Sequence, residues 1–286
     1  MQSTEEALAR IYGAALTTIR ARHEVARGHN PLTYHNRMHA CGVRNRAIHI
    51  VRAAGGSPHQ EMLAGIAAMH HDIVLETGVT APEDGYAMRT YQRGLNECMS
   101  AHEAVLAMRA SGIEFCELDY GIVSLAIVGT IPQAVGPRGL TITQPIANAH
   151  TDLVVRAVAL ADLGEAAMHP EQYVIGAYGL FAELQVGITN QLRRKEYFFA
   201  EARKRLNTWL TGQLTYLEAR EAVTEDELAF LPKEVEDLFM GFMQSRELIQ
   251  NEIEFAQTSN DAELYKRFSE HLLMALSYPE IGADVA

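Results

Sequence analysis

The spacing of the apolar residues restricts the fold of this chain more than any other feature, because it follows a helical repeat through nearly the whole sequence. Over residues 3–27, apolar side chains recur at three- and four-residue steps after the capping-box motif Ser3-x-x-Glu6. We find no alternation of apolar and polar residues of strand length, and no internal repeat. The sequence therefore predicts an all-α fold, arranged as a helical bundle.

Four stretches interrupt or test this helical pattern. Residues 76–94 hold glycines, a proline and mixed charges, and are expected to form a loop or a short helix. Residues 131–145 are rich in proline and glycine and are expected to be a loop. The dense apolar run 120–128 could be mistaken for a strand, but its neighbours are helices and no partner strands are expected. The motif Thr224-x-x-Glu227 predicts the start of a further helix.

Charge and cysteine content limit the class of protein. The formal net charge of -12 argues against nucleic acid as a main partner, because binding its phosphates requires clustered Lys and Arg. A small anionic substrate is compatible with this net charge, because one bound cation and a few arginines can dominate the electrostatic field inside a pocket. The three cysteines form no paired motif, and no apolar run suits a membrane span or a signal peptide. We therefore expect a reduced, cytoplasmic protein without a membrane segment.

Two aspartates, Asp72 and Asp162, stand at the ends of helices that otherwise have a buried composition. A carboxylate in such a place is unfavourable unless it is paired, protonated or bound to a cation. Together with two imidazoles, His39 and His71, these carboxylates would suit a divalent first-row metal with open positions for water. Taken alone, the His71-Asp72 pair favours the simpler interpretation of a polar helix end without a metal.

The order of these residues is similar to that of a known family. The pattern His…His-Asp…Asp on separate helices resembles the HD superfamily of metal-dependent phosphohydrolases, most closely its uncharacterised branch of predicted HD-type phosphohydrolases. The likeness covers roughly residues 5–217. Its motifs are Tyr34-His35-Asn36-x-x-His39, Ala67-Ala68-x-x-His71-Asp72-Ile73-Val74, Asn96-Glu97-x-x-Ser100-Ala101, Ile127-x-x-Thr130 and Asp162-Leu163-x-Glu165.

The resemblance implies a domain organisation and a cofactor. Residues 1–220 would form an HD-type metal-binding helical domain, and residues 221–286 a C-terminal helical extension. The extension is expected to pack on the core, to form a homodimer face or to cover the pocket. A divalent metal ion (Mn, Fe, Co, Ni, Mg or Zn) would be held by four side chains, which are those of His39, His71, Asp72 and Asp162.

The implied activity is hydrolysis of a small phosphate ester by metal-activated water, with a nucleotide among the candidate substrates. Glu97 matches an acidic residue that lies near the metal in that branch, and is expected to act as general base or outer ligand. His35 is a second group that could accept a proton or orient the water. Arg37 ranks first among four arginines that could grip phosphate oxygens, and the others are Arg46, Arg89 and Arg93.

Two other functions stay open at this point. Some helical domains with this ligand set hold two irons and perform oxygenation, which would require further ligands from His35, His102 or His150. A non-catalytic domain that binds a nucleotide or a partner is the other alternative, although the intact ligand set argues against it. His70 is expected to be structural. Six further histidines are expected at the surface, namely His23, His29, His49, His59, His169 and His271.

Overall fold

The protein consists almost entirely of helices, in a computed structural model that describes residues 3–81, 85–135, 141–144, 148 and 150–277. The elements in chain order are α1 (Thr4–Ile19), α2 (Arg37–Ala53), α3 (Pro58–His70), β1 (Thr77–Thr80), β2 (Met88–Tyr91), α4 (Leu95–Ala110), α5 (Glu117–Val128), β3 (Gln133–Val135), β4 (Thr141–Thr143), α6 (Leu153–Leu163), α7 (Glu165–Met168), α8 (Pro170–Leu184), α9 (Val186–Lys195), α10 (Ala200–Leu228), α11 (Lys233–Glu236), α12 (Phe242–Thr258) and α13 (Asp261–Leu276). The predicted all-α class is confirmed. No helix in the described ranges combines the length and the apolar content that crossing a membrane requires.

Local sequence signals set several helix ends. The Ser3 hydroxyl accepts a hydrogen bond from the Glu6 backbone N–H, and the Glu6 carboxylate accepts one from the Ser3 N–H, which is the predicted capping box. The helix predicted over residues 3–27 is split, because α1 passes into a π-helical segment, Arg20–Val25. The apolar run 120–128 lies within α5, so its helical interpretation is confirmed.

The core forms where α2, α3 and α6 pack against one another, with α5 against α3 and α6. Most of α3 is buried, which its small residues permit. Gly65 shows how close this packing is, because a Cβ atom there would lie 2.2 Å from the Tyr12 hydroxyl oxygen of α1. The tight contact between α2, α3 and α6 brings the ends of these helices together.

Two stretches that were expected to lack strands contain strand pairs. Within residues 76–94, β1 pairs with β2 in antiparallel register, with Thr77 opposite Tyr91. Within residues 131–145, β3 pairs with β4. The expectation that these two stretches contain no strands is therefore wrong, since strands of three or four residues are too short to show a recognisable alternation. Residues 82–84, 136–140 and 145 of these stretches lie outside the described residues.

The C-terminal helices share the core with the rest of the chain. The expected domain boundary between residues 220 and 221 falls inside α10, which continues to Leu228. Thr224 does not begin a new helix; its hydroxyl donates to the Arg220 carbonyl at 2.8 Å within α10. Helix α12 packs on α8 and α10, and α13 packs on α8. Residues 221–286 were expected to pack on the core, to form a homodimer face or to cover the pocket. The contacts support packing on the core.

Candidate metal centre

Asn36 determines where α2 begins and so places His39 in its first turn. The Asn36 side-chain oxygen accepts hydrogen bonds from the backbone N–H groups of Met38 and His39, at 2.8 and 3.3 Å. Its amide nitrogen donates to the carbonyl oxygens of Thr33 and Ala275, both at 3.0 Å. A buried cap with these four bonds fixes the direction in which the His39 side chain leaves the helix.

Two other helix ends supply the remaining donors. His71 and Asp72 directly follow α3, and Asp162 lies in the last turn of α6. Because α2 packs on both α3 and α6, these ends meet the first turn of α2 at one point of the core. The convergence of residues 39, 71, 72 and 162 therefore depends on the packing of three helices.

The His39 and His71 imidazoles lie within a few ångströms of each other and of both aspartates. His39 Nε2 lies 3.2 Å from His71 Nε2, 3.4 Å from Asp162 Oδ1 and 3.6 Å from Asp72 Oδ2. His71 Nε2 lies 3.0 Å from Asp72 Oδ2 and 3.4 Å from Asp162 Oδ1. The two imidazoles are buried, while the aspartate side chains are 17–18% exposed. One donor atom of each of His39, His71 and Asp162 can thus face a common centre.

These separations fit the donor set of a metal ion. Metal–nitrogen bonds of about 2.0–2.1 Å place neighbouring donors about 3.0 Å apart at right angles and about 3.4 Å apart at tetrahedral angles. The His71 Nδ1–H donates to the Ala68 carbonyl at 2.7 Å, which leaves the Nε2 lone pair available as a ligand. A His39–His71–Asp162 group meets the geometric requirement for holding a metal ion, and Asp72 lies beside it.

The carboxylates of the cluster are in the form of metal ligands, whereas His71 is favoured with a proton that a bound metal would replace. Burial alone would raise the pKa of Asp72 and Asp162, but the adjacent imidazoles lower both below the usual range. Burial lowers the pKa of His39, whereas the two carboxylates raise that of His71 well above its usual value against the effect of burial. Both carboxylates are therefore ionised at neutral pH, as metal ligands must be.

Arg46 holds the end of α6 in place behind the cluster. Its Nε donates to the Ala161 carbonyl at 2.8 Å, and its Nη1 donates to Glu165 Oε1 at 3.1 Å. Arg46 was a candidate to grip phosphate, but its guanidinium is buried and bound to the residue that precedes Asp162. Its position indicates that it supports the helix end that carries Asp162.

A cavity of about 760 Å³ opens onto the cluster. Asp72, Asp162 and His35 line it, together with Glu97, which was expected to be a base or an outer ligand. The Glu97 carboxylate also accepts a hydrogen bond from the Gly94 N–H at 2.5 Å, at the start of α4. Burial raises the pKa of Glu97, and Asp72 and Asp162 add to this effect. The Glu97 carboxylate thus caps the start of α4, and the Glu97 side chain also lines the cavity.

His35 is bound to a buried carboxylate that the sequence analysis did not single out. Its Nδ1–H donates to Glu183 Oε1 at 2.5 Å, and the Tyr91 hydroxyl donates to the same oxygen. The backbone N–H groups of Tyr34 and His35 donate to Oε2 at 2.8 and 3.1 Å. Glu183 is the single charged residue in the apolar run 178–184, so the reasoning applied to the two aspartates would have found it.

These contacts set the charge of both partners. Burial would lower the pKa of His35, but the Glu183 carboxylate raises it. Burial would raise the pKa of Glu183, but His35, the Tyr91 hydroxyl and the Tyr34 N–H lower it to about 2. His35 is therefore favoured in its protonated form, which makes it a proton donor, whereas the sequence analysis proposed it as an acceptor.

We expect Glu183→Gln to lower the pKa of His35, because the carboxylate that most strongly opposes the effect of burial is removed and only the charges of Asp72 and Asp162 still raise the pKa. An NMR titration of the imidazole resonances measures this directly. His70 serves as an internal control, since burial already lowers its pKa to about 4 and its Nδ1–H donates to the Ile66 carbonyl. A His35 pKa that is the same in both proteins would contradict the assignment.

The same shift has a consequence for stability. Since the pKa of His35 is raised on folding, the His35–Glu183 contact contributes fully to the free energy of unfolding below about pH 6.5. This contribution is lost as the pH rises through the folded-state pKa of His35. In Glu183→Gln, the free energy of unfolding should therefore change less with pH between about pH 6.5 and the folded-state pKa that His35 has in the wild type.

Arg37, the first-ranked candidate for binding phosphate, is not among the described residues that line the cavity. Its Nε and Nη2 donate to the two carboxylate oxygens of Glu24, at 2.9 and 3.1 Å. The arginines in the described lining of the cavity are Arg89 and Arg93, which were the lower-ranked candidates. Arg89 is buried on β2 and donates to the Asn30 carbonyl at 3.0 Å. The sequence ranked Arg37 first because it lies near the ligands along the chain, but its side chain points to a different partner.

The remaining histidines are partly as expected. His70 is structural, and His29, His49, His59 and His169 are exposed. The surface placement of His23 and His271 is wrong, since both are buried. Two of the three histidines from which a two-iron site would take further ligands, His102 and His150, are exposed, and neither these two nor His35 belongs to the described cluster.

The comparisons with known proteins do not assign this chain to a family. Protein-family models, curated proteins and solved structures give no match to this chain. The HD-type resemblance therefore stays a prediction, and the function has to be argued from the site.

Proposed function

We infer that this protein is a metal-dependent hydrolase of phosphate esters. The observation that supports this most is that two imidazoles each lie 3.0–3.6 Å from the same two carboxylates, at the wall of a cavity. Mixed nitrogen and oxygen donors without thiolate suit a catalytic divalent metal better than a closed structural zinc site. Arg89 and Arg93 in the same wall favour an anionic substrate.

A metal ion bound here would supply Lewis acidity and an acidified water. The chain's own groups would handle the protons. Glu97, whose pKa is raised by burial, would accept the proton of the attacking water. His35, protonated through Glu183, would donate a proton to the leaving oxygen as the bond between phosphorus and that oxygen breaks. The products are the free alcohol and inorganic phosphate, or a phosphomonoester if the substrate is a diester.

Elemental analysis of the purified protein, followed by a panel of phosphomonoesters and phosphodiesters, tests this function. The protein would be stripped on a chelating resin and reloaded separately with Mn, Co, Ni, Mg, Fe or Zn. We expect release of alcohol and phosphate with at least one metal and none in the stripped protein. No turnover with any metal would favour the non-catalytic alternative, and two irons with oxygen uptake would favour the oxygenase.

A further inference from the structure

The walls of the cavity differ in chemical character. Every Asp, Glu and Arg in its described lining comes from the part of the chain before α8; they are Asp72, Arg89, Arg93, Glu97, Asp162 and Glu165. A second wall is built by α8 and α10, and none of its described lining residues carries a charge. Its larger members are Tyr173, Leu180, Leu184, Trp209, Gln213 and Tyr216. The cavity thus has a charged half, which holds the metal cluster, and an uncharged aromatic half.

The polar atoms of the aromatic half are largely occupied. The Trp209 Nε1–H donates to the Ala177 carbonyl at 2.9 Å, and the Tyr173 hydroxyl donates to Gln213 Oε1 at 2.8 Å. Both bonds join α10 to α8 and hold the rings in position. The Tyr173 and Tyr216 rings are nearly parallel, at 15° with centroids 6.4 Å apart. This wall therefore offers a ligand mainly aromatic and aliphatic surface.

The size of the cavity indicates that its occupant is more than a phosphate group. A volume of about 760 Å³ is in the range of sites for drug-sized ligands. Binding of the phosphoryl group at the charged half leaves the aromatic half for the rest of the molecule. Water in contact with these rings would be displaced favourably by a planar apolar group and poorly by a polyhydroxyl group.

We propose that the wall of α8 and α10 is a binding site for the alcohol part of the substrate, and that it selects phosphate esters of aromatic ring compounds over those of small polyols. This proposal rests on the proposed hydrolase function for the orientation of the ester. Trp209 and Tyr216 supply the ring contacts, and Gly212 on the same face of α10 keeps the space between them open.

Gly212 gives a variant that fills the site without disturbing the core. It lies inside α10, and a Cβ atom there would have no neighbouring atom within 4 Å. Gly212→Leu should therefore place its side chain in the cavity, and should favour the helix. Gly121→Leu is the matched control, because Gly121 is also exposed, helical and open around its Cβ, but lies on α5 outside the cavity lining.

The fluorescence of Trp209, the one tryptophan of the chain, reports on this wall directly. Phenyl phosphate and glycerol 2-phosphate would be titrated into metal-free and metal-loaded protein. We expect saturable change with phenyl phosphate, binding about tenfold or more tighter than glycerol 2-phosphate, and a loss of about tenfold or more in Gly212→Leu. Gly121→Leu should bind like the wild type.

The outcomes separate this proposal from the hydrolase function. Equal binding of the two esters, no response of Trp209, or unchanged affinity in Gly212→Leu would overturn the aromatic site even if the protein hydrolyses phosphate esters. Selective binding of phenyl phosphate without turnover under any metal would uphold the site and overturn the hydrolase. In active protein, kcat/KM should show the same preference for the aryl ester.

Discussion

His39→Ala should lose bound metal and phosphate-ester hydrolysis together. The His39 Nε2 atom lies 3.2–3.6 Å from the donor atoms of His71, Asp72 and Asp162, so its removal takes one donor from a set of four. Loss of a group that only supports a ligand costs about 10- to 100-fold in metal affinity, and loss of a ligand should exceed about 100-fold. Elemental analysis after gel filtration, and phosphate release with the best metal, measure the two effects.

His49→Ala is the matched control for this experiment. His49 lies on the same helix, α2, but is exposed, so its removal should change neither metal content nor activity. Asp72→Ala gives an independent check on a second element and should behave like His39→Ala. Full metal occupancy in the Asp72 variant, with a folded protein by circular dichroism, would remove Asp72 from the ligand set.

Arg46→Met should lower the free energy of unfolding by about 3–5 kcal/mol, the usual result of removing one partner from a buried ion pair. The guanidinium of Arg46 is 1% exposed, and it binds both the Glu165 carboxylate and the Ala161 carbonyl. The methionine side chain fills similar space but leaves that carboxylate and that carbonyl without their donor. Urea denaturation of the metal-free proteins measures the difference.

Metal binding should weaken in the same Arg46 variant. Because Arg46 holds the carbonyl of the residue before Asp162, its loss should reduce metal affinity about 10- to 100-fold. Arg52→Met on the same helix is the control, since Arg52 pairs with Glu61 at the surface and should contribute little. Similar unfolding curves for the Arg46 and Arg52 variants would show that the buried pair has no special role.

Much of the fold could be predicted because its signals are local. A capping box acts over four residues, so Ser3 and Glu6 could be read directly from the sequence. The helical repeat in α1, α2, α3 and α6 likewise follows from the spacing of apolar residues. The two aspartates could be singled out because a charge at the end of an apolar helix is unfavourable without a partner.

The errors have a common physical origin in contacts between distant segments. The strands β1 and β2 have four residues each, and their geometry is coupled to α8 through Tyr91 and Glu183. The Arg37 guanidinium is bound by Glu24, a residue thirteen positions away on the preceding segment. Neither contact leaves a periodic pattern, so neither could be recognised in the sequence.

The sequence by itself determined the helical class, the main helix starts and a short list of side chains able to bind a metal. These follow from backbone hydrogen bonding and from the energetic cost of burying a charge, which act within a few residues. The tertiary structure decided that the His39 and His71 imidazoles meet Asp72 and Asp162, and that the Glu183 carboxylate raises the pKa of His35. It also decided that α8 and α10 face the cluster with uncharged rings. Such distances depend on how whole helices pack, and packing is a property of all the side chains at the interface rather than of any one segment.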